Sequence, residues 1–383
     1  MTGREFPDTA AVILAAGFSS RMGRFKPLLP LGGGSVFAHI TAVYRSAGIS
    51  RLLAVSGHAA EDLHAEAAAL GVPVVHNPRY AEDMFTSVRT GLAGIHDATN
   101  IFIQPVDIPL VRADTIAHLA LCSQEHDCAV ALPEFLGETG HPPLLKAELV
   151  PSILDWNGDN GLQGALEQYA PCRLAVADRN ILFDMDTPEA YAEALSRQVR
   201  AHIPTPGEAM ELLRLYAQTP ERGLAHARGV ADVALALRDA LSARGIALNR
   251  ELIEAAALLH DIAKDQQDHE AAGGALLADL GFARIAEIVA GHRDSRLSAN
   301  ASFTEKEIVY LADKLVRGPF RIDLADRFAE KIAHWKNDAA ASAAIQDRLC
   351  NALTMRARLE AELGLPLEDL LQYLNLPWDR RRA

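Results

Sequence analysis

Two hydrophobic rhythms share this chain of 383 residues, and the switch between them constrains its fold more than any other feature. In the first half, short apolar runs alternate with helical stretches. AAVILAAG (10–17), RLLAVSG (51–57), VPVVHN (72–77), NIFIQPVD (100–107) and DCAVALPEF (127–135) each have the length of a buried strand. Helical patterning fills 36–47, the stretch reaching Leu70 and the stretch from about Ala113. Strands separated by such helices predict βαβ units and a mostly parallel sheet. ILFDMDTPEAY (181–191) predicts one more strand, then a helix opening at Thr187-Pro188, a good N-cap followed by a residue tolerated in the first turn. HIPTPGE (202–208), with two prolines and a glycine, reads as a linker. Beyond it the apolar period stays near 3.6, in LAHARGVADVALALRDAL (224–241), ELIEAAALLHDIAK (251–264) and EKEIVYLADKLV (305–316). The expectation is an α/β domain over 1–202 and an all-helical domain over 208–383, its core within about 208–340.

Apolar residues make up 49% and charged residues 23%, enough for two cores and too apolar for a disordered chain. Fifty acidic against 37 basic residues leave a net charge of −13. Broad binding to nucleic acid or to an anionic membrane is therefore not expected, and the RRRA end (380–383) reads as solvated. No stretch approaches the ~20 apolar residues of a membrane span. The start, MTGREFPDTA, has no apolar signal core, so a cytoplasmic protein is expected. Cys122, Cys128, Cys172 and Cys350 form no C-x-x-C pair and are expected to be free thiols.

Behind the first predicted strand comes LAAGFSSRMGRFKPLLPLGG (14–33). Gly17 and Gly23 permit a tight turn with N–H groups facing a ligand, Ser19 and Ser20 add hydroxyls, and Arg21 and Lys26 add cations. Such a loop suits a triphosphate, cradling its oxygens and neutralising charge on departing pyrophosphate. It is neither a Walker A loop nor G-x-G-x-x-G. The string resembles the signature of the molybdenum cofactor nucleotidyltransferases, part of the wider group of sugar-phosphate and isoprenoid nucleotidyltransferases. The resemblance runs over about 10–195 and continues in NPRYAEDMFTSVRTGL (77–92), QPVDIPLV (104–111), GHPPLL (140–145) and FDMDTPEAY (183–191). It implies a Rossmann-like domain that moves a nucleoside monophosphate from an NTP to a phosphorylated acceptor.

Asp107 ends a predicted strand, at the edge where open α/β sheets bind ligands, and is a candidate Mg²⁺ ligand. Asp186 is a second, and Asp184 a weaker third. By resemblance Ala15, Ala16, Gly17, Ser19 and Gly23 contact the nucleotide, Asn77, Ser87 and His141 line the nucleotide and acceptor pocket, and Arg21, Lys26 and Asp107 are catalytic. A phosphate nucleophile is already ionised, so positioning and electrostatics can suffice. Ala15-Ala16-Gly17 and GHPPLL look like the cytidylyl-transferring branch, which implies CTP and molybdopterin as substrates and contact with a molybdoenzyme or its chaperone. Three positions depart from the usual pattern: Ile108 within Asp107-Ile108-Pro109, Asp83 before Met84, and Gln163 where Arg is common.

In the helical half, His226, the pair His260-Asp261 and Asp313 interrupt apolar helical stretches. Polar groups on such faces are costly to bury unpaired, and a shared metal would satisfy all four. The set resembles the H…HD…D pattern of HD-domain phosphohydrolases over about 208–340. That resemblance implies a divalent metal such as Mn²⁺ or Fe²⁺ that activates water against a phosphoester. It also implies a phosphate contact from Lys264, and places His269 and His292 where some subfamilies carry extra histidines for a second metal or the substrate. The combined expectation is a bifunctional enzyme. Readings left open are transfer to a sugar or polyol phosphate, a nucleotide-sensing module joined to a catalytic HD domain, and a regulatory HD domain that binds a nucleotide without turnover.

Overall fold

The alternation of β1 (Thr9–Leu14) explains the first half. Ala11 and Ile13 enter one core with Phe37, Ile40 and Tyr44, whereas Val12 and Leu14 enter a second core with Val88 and Leu92. A strand buried on both sides is the signature of a sheet covered by helices on each face. The computed structural model describes residues 4–292 and 301–379. The RRRA end and the first three residues lie outside that range. The chain divides into two compact units, Met1–Ala201 and His202–Ala383.

In the main sheet of the first unit the strands are β1, β2 (Arg51–Ser56), β3 (Val74–His76), β4 (Asn100–Pro105), β5 (Val130–Phe135), β6 (Glu138–Thr139), β7 (Leu144–Lys146) and β8 (Cys172–Ala175). The helices are α1 (Val36–Ser46), α2 (Ala60–Ala69), α3 (Met84–Gly94), α4 (Ala113–Glu125), α5 (Val150–Leu154), α6 (Gly161–Glu167) and α7 (Pro188–Val199). The sheet runs β8-β5-β7-β4-β1-β2-β3, with β6 paired to β5. Neighbours are parallel except for β7, antiparallel to both β4 and β5, and β6. Strand order reverses at β1, which lies between β2 and β4, so the loops after β1 and β4 open a crevice at their carboxyl ends. Helix α3 presses directly on the sheet there: a Cβ at Gly91 would stand 2.3 Å from Val12 Cγ1.

Three sequence expectations change. The strand predicted within 181–191 does not form. Arg179–Leu182 is a single 3₁₀ turn with Ile181 buried, followed by an extended segment with Phe183 and Met185 buried. The segment is tied by isolated bonds, His141 N to Ile181 O and Met185 N to Asp107 O, so its alternation reflects burial without a ladder. The expected helix after it does form, capped by Thr187. The cysteines are not all free: Cys128 and Cys172 form a disulfide, Cα–Cα 6.0 Å, while Cys122 and Cys350 remain thiols. Parallel pairing of β5 with β8 sets Cys172 opposite Ala131, bringing it beside the residues just before β5. A separation of 44 residues concealed that neighbourhood. Finally, the linker is shorter than 202–208, because its Thr-Pro-Gly-Glu half starts a helix.

That helix is α8 (Pro206–Ala217). Thr205 Oγ1 accepts from Glu208 N at 3.3 Å and Glu208 Oε2 accepts from Thr205 N at 2.8 Å, a reciprocal capping box. The second unit continues with α9 (Glu221–Ser242), α10 (Arg250–Leu259), α11 (His269–Asp279), α12 (Ala283–Ala290), α13 (Glu305–Lys314), α14 (Leu324–His334), α15 (Ala339–Leu363) and α16 (Leu367–Leu371). Helix α10 is buried almost all round, with Leu252, Ile253 and Ala255–Leu259 inside. The expected all-helical unit carries one small exception, a two-residue hairpin of Val316–Arg317 with Phe320–Arg321. Among the described residues no helix is long and apolar enough to cross a membrane.

Candidate active sites

The loop after β1 folds around Ser19. Ser19 adopts φ +54° and Gly23 φ +67°. The Ser19 carbonyl accepts from Met22 N and Gly23 N, both at 3.1 Å, and its hydroxyl oxygen accepts from Lys26 N at 3.0 Å. The loop therefore delivers a buried lysine to the crevice. Lys26 Nζ donates to Asp186 Oδ1 and lies 3.9 Å from Asp107 Oδ2. Arg21, largely exposed, reaches Asp186 Oδ2 at 2.5 Å. The bond from Met185 N to the Asp107 carbonyl holds the two carboxylate-bearing segments together. With Met185 buried, Asp184 and Asp186 flank it, and a carboxylate oxygen from each of Asp107, Asp184 and Asp186 lies within 4.8 Å of the others.

Electrostatics separates the three. Burial raises Asp107 above the usual carboxylate range, with Lys26 opposing. Asp184 is raised by burial and by Asp107 and Asp186. Burial also acts upward on Asp186, but its hydrogen bond and charge contact with Lys26, helped by Arg21, hold it below the usual range. Three crowded carboxylates with two cations form a hard-oxygen donor set that fits a divalent ion such as Mg²⁺.

A cavity of about 230 Å³ opens beside them. Ala15, Ala16, Gly17, Ser19, Lys26, Ser87 and Asp107 line it. Gly23, Arg21 and Asn77 do not. Asn77 is buried and donates from Nδ2 to Thr86 Oγ1 and Ser87 Oγ, both at 2.9 Å, so it positions Ser87 from behind. His141 lines a second cavity of about 1010 Å³ with Gln163 and Arg173. Burial holds His141 below the usual imidazole range. Asp83, Met84, Leu14 and Pro105 border both cavities. Phe18 and Tyr80, ring centroids 5.1 Å apart, wall the first and were not singled out from sequence, although both lie inside the quoted motifs.

The second unit gathers its predicted residues from separate elements. His226 lies on α9, His260 and Asp261 just beyond the end of α10, His269 at the start of α11, His292 just past α12 and Asp313 on α13. His226 Nε2 stands 3.4 Å from Asp313 Oδ1 and 3.8 Å from Asp261 Oδ2. His260 Nε2 stands 3.4 Å from Asp261 Oδ2 and 3.7 Å from Asp313 Oδ1. On the far side of Asp261, Oδ1 faces His269 Nε2 at 3.8 Å and His292 Nε2 at 3.9 Å. Asp261 thus belongs to two triads, one with His226 and His260 and one with His269 and His292.

Backbone carbonyls fix two of the rings. His260 Nδ1 lies 2.7 Å from Ala257 O and His292 Nδ1 2.6 Å from Val289 O, turning both Nε2 atoms toward Asp261. His260 Nε2 is fully buried without a hydrogen bond. A buried imidazole nitrogen that faces carboxylates and has no hydrogen bond fits the role of a metal ligand. Burial lowers His226, and burial with the charge of His260 lowers His292 to about 4, whereas, against the downward effect of burial, Asp261 and Asp313 raise His260. Around Asp313, Lys314 Nζ lies 2.6 Å from Oδ2 and Arg327 NH2 3.1 Å from Oδ1, partners not expected from sequence. Lys264 rests on Asp261 Oδ2. A cavity of about 660 Å³ is lined by His226, His260, Asp261 and Lys264.

The comparisons with known proteins divide along the same boundary. The family described as MobA-like NTP transferase domain matches residues 11–172, and the HD domain family matches 223–318. A molybdenum cofactor guanylyltransferase of Xanthomonas euvesicatoria pv. vesicatoria (strain 85-10) is 33% identical over 192 residues, covering 48% of this chain and 93% of that protein. The chain belongs to the MobA-like NTP transferases, with an HD domain following. The molybdenum cofactor cytidylyltransferase of Escherichia coli (strain K12) is 28% identical to this MobA-like chain over 188 residues, 49% of this chain and 95% of that protein. The crystal structure of Rv0371c from Mycobacterium tuberculosis H37Rv is 28% identical and covers 50% of this chain and 98% of that one, with a TM-score of 0.44.

Proposed function

We propose that the MobA-like domain, ending near residue 202, transfers CMP from CTP to molybdopterin with release of pyrophosphate, and that the HD domain hydrolyses a phosphoester. The observation that carries the first half is Lys26, buried at the cavity mouth between Asp107 and Asp186. In this mechanism the N–H groups of the loop after β1 and the Ser19 hydroxyl hold the triphosphate, while Lys26 and Arg21 neutralise charge that grows on the departing pyrophosphate. Asp107 and Asp186 would hold Mg²⁺, which supplies further neutralisation of the phosphates when bound. The larger cavity shares its border with the first, which suits an acceptor phosphate entering beside the nucleotide.

The choice of CTP rests on Ala15-Ala16-Gly17, since one quoted relative bears a cytidylyl and the other a guanylyl name. Asp83 caps α3 through Thr86 N, and Gln163 donates to Glu167 at 2.9 Å, so two of the departures from the usual pattern border the acceptor side. A molybdoenzyme or its chaperone is the proposed recipient of the product. In the HD domain, His226, His260, Asp261 and Asp313 would hold Mn²⁺ or Fe²⁺, with His269 and His292 completing a second position through Asp261. Such an ion supplies an activated water when bound.

The test uses the full chain carrying His260→Ala and Asp261→Ala, so that hydrolysis does not erase the product. With Mg²⁺ and molybdopterin, CTP is expected to yield pyrophosphate and a cytidylylated pterin by mass. A product with GTP alone would reassign the nucleotide. No pterin product with any NTP would move the acceptor to a sugar or polyol phosphate.

A further inference from the structure

Four cations line the HD cavity, and three of them are committed. Lys264 lies on Asp261. Arg317 is bound by Glu330 and Asp379. Arg327 reaches Asp313 and the Val316 carbonyl. The fourth, Arg222, is exposed on the cavity wall and makes no ion pair among the described residues. It precedes His226 by four residues on α9, so the two side chains leave the same helix face one turn apart. Gly318, in the turn between Val316–Arg317 and Phe320–Arg321, has φ +58°, and a Cβ there would stand 3.3 Å from Arg222 Nε. The bare turn leaves the guanidinium room beside the metal ligands.

We propose that Arg222 forms an anion subsite for a second phosphate of the HD substrate, one helical turn from the phosphate that the His226 and His260 side addresses. This rests on the hydrolase reading of the same site and names its substrate class: a compound with at least two linked phosphates, such as a nucleoside diphosphate or a pyrophosphate ester. A guanidinium presents a planar fork of donors that matches phosphate oxygens, and an unengaged one retains all of them for a ligand. Lys264 does not serve equally, because its ammonium already sits on Asp261. The apolar portion of the wall, Leu213, Ala217 and Leu258, leaves space for the organic part of such a compound.

The experiment uses the Mn²⁺-loaded full chain and two probes, pyrophosphate and inorganic phosphate, titrated by calorimetry in wild type, Arg222→Ala and Arg222→Lys. Loss of a charge-assisted bidentate contact is expected to weaken one class of pyrophosphate site roughly ten- to hundredfold in Arg222→Ala. Inorganic phosphate binding and manganese content should be nearly unchanged, and Arg222→Lys should recover part of the loss. Equal weakening of both probes would assign Arg222 to general charge and overturn the subsite, as would an unchanged pyrophosphate affinity. Release of inorganic phosphate from a nucleoside diphosphate, measured alongside, separates the two ideas. No turnover with a pyrophosphate site that depends on Arg222 defeats the hydrolase reading and upholds the subsite. Turnover without that dependence does the reverse.

Discussion

The two candidate sites reach similar chemistry by opposite routes. In the MobA-like domain, one loop, the end of β4 and the extended segment 183–186 supply nearly everything, and the carboxylate Asp186 is already engaged by Lys26 and Arg21. In the HD domain, His226, His260, His269, His292 and Asp313 come from five different places in the chain, and His260 Nε2 is buried with no hydrogen bond. In the first arrangement Lys26 and Arg21 offset part of the carboxylate charge within the protein; in the second a buried imidazole nitrogen has no hydrogen bond. A partly offset site should tolerate loss of its metal as a fold, whereas the second should gain stability when an ion binds.

The widest separation between the sites should come from paired variants. Lys26→Ala is expected to cut pyrophosphate release by about two to three orders of magnitude, as for loss of a preorganised charge at a transition state. His260→Ala should leave that rate intact while abolishing phosphoester hydrolysis and metal retention, measured by metal analysis after dialysis. If chelation also removed transferase stability in a thermal melt, the contrast drawn above would fail. Next in size is the disulfide. Cys172→Ser removes a cross-link closing a long loop, and a cost of roughly 2–4 kcal/mol is expected for the MobA-like unit alone. Differential scanning calorimetry would show one transition shifting; a shift of both would contradict it. The smallest effect is at the capping box, where Thr205→Ala should cost about 1 kcal/mol and confine its effect to the HD unit, read by denaturant titration.

Local chemistry was legible in the sequence, and chain closure was not. The loop from Ala15 to Lys26 acts as a contiguous unit, so its string of glycines, serines and cations could be read directly. His226, His260, Asp261 and Asp313 could be picked out because each interrupts an apolar helix period. Asn77 shows where such reading stops: its motif position is right beside the site, yet its amide is consumed by Thr86 and Ser87. The segment 181–186 alternates as a strand would, but it begins in a 3₁₀ turn and makes only isolated backbone bonds, to His141 and Asp107. Likewise β7 and β8, only three and four residues long, draw their identity from β4 and β5 and not from their own sequence. The disulfide has the same origin, since adjacency of β5 and β8 is a property of topology.

Strand β1 carries one consequence for how this protein can change. Its odd and even residues feed different cores, and its last residue is followed directly by the loop that delivers Lys26. Insertion or loss of one residue between Thr9 and Leu14 would exchange the membership of both cores at once and displace the loop by about 3.3 Å. The strand is thus a vernier: its length is held by two interiors and by the loop behind it together.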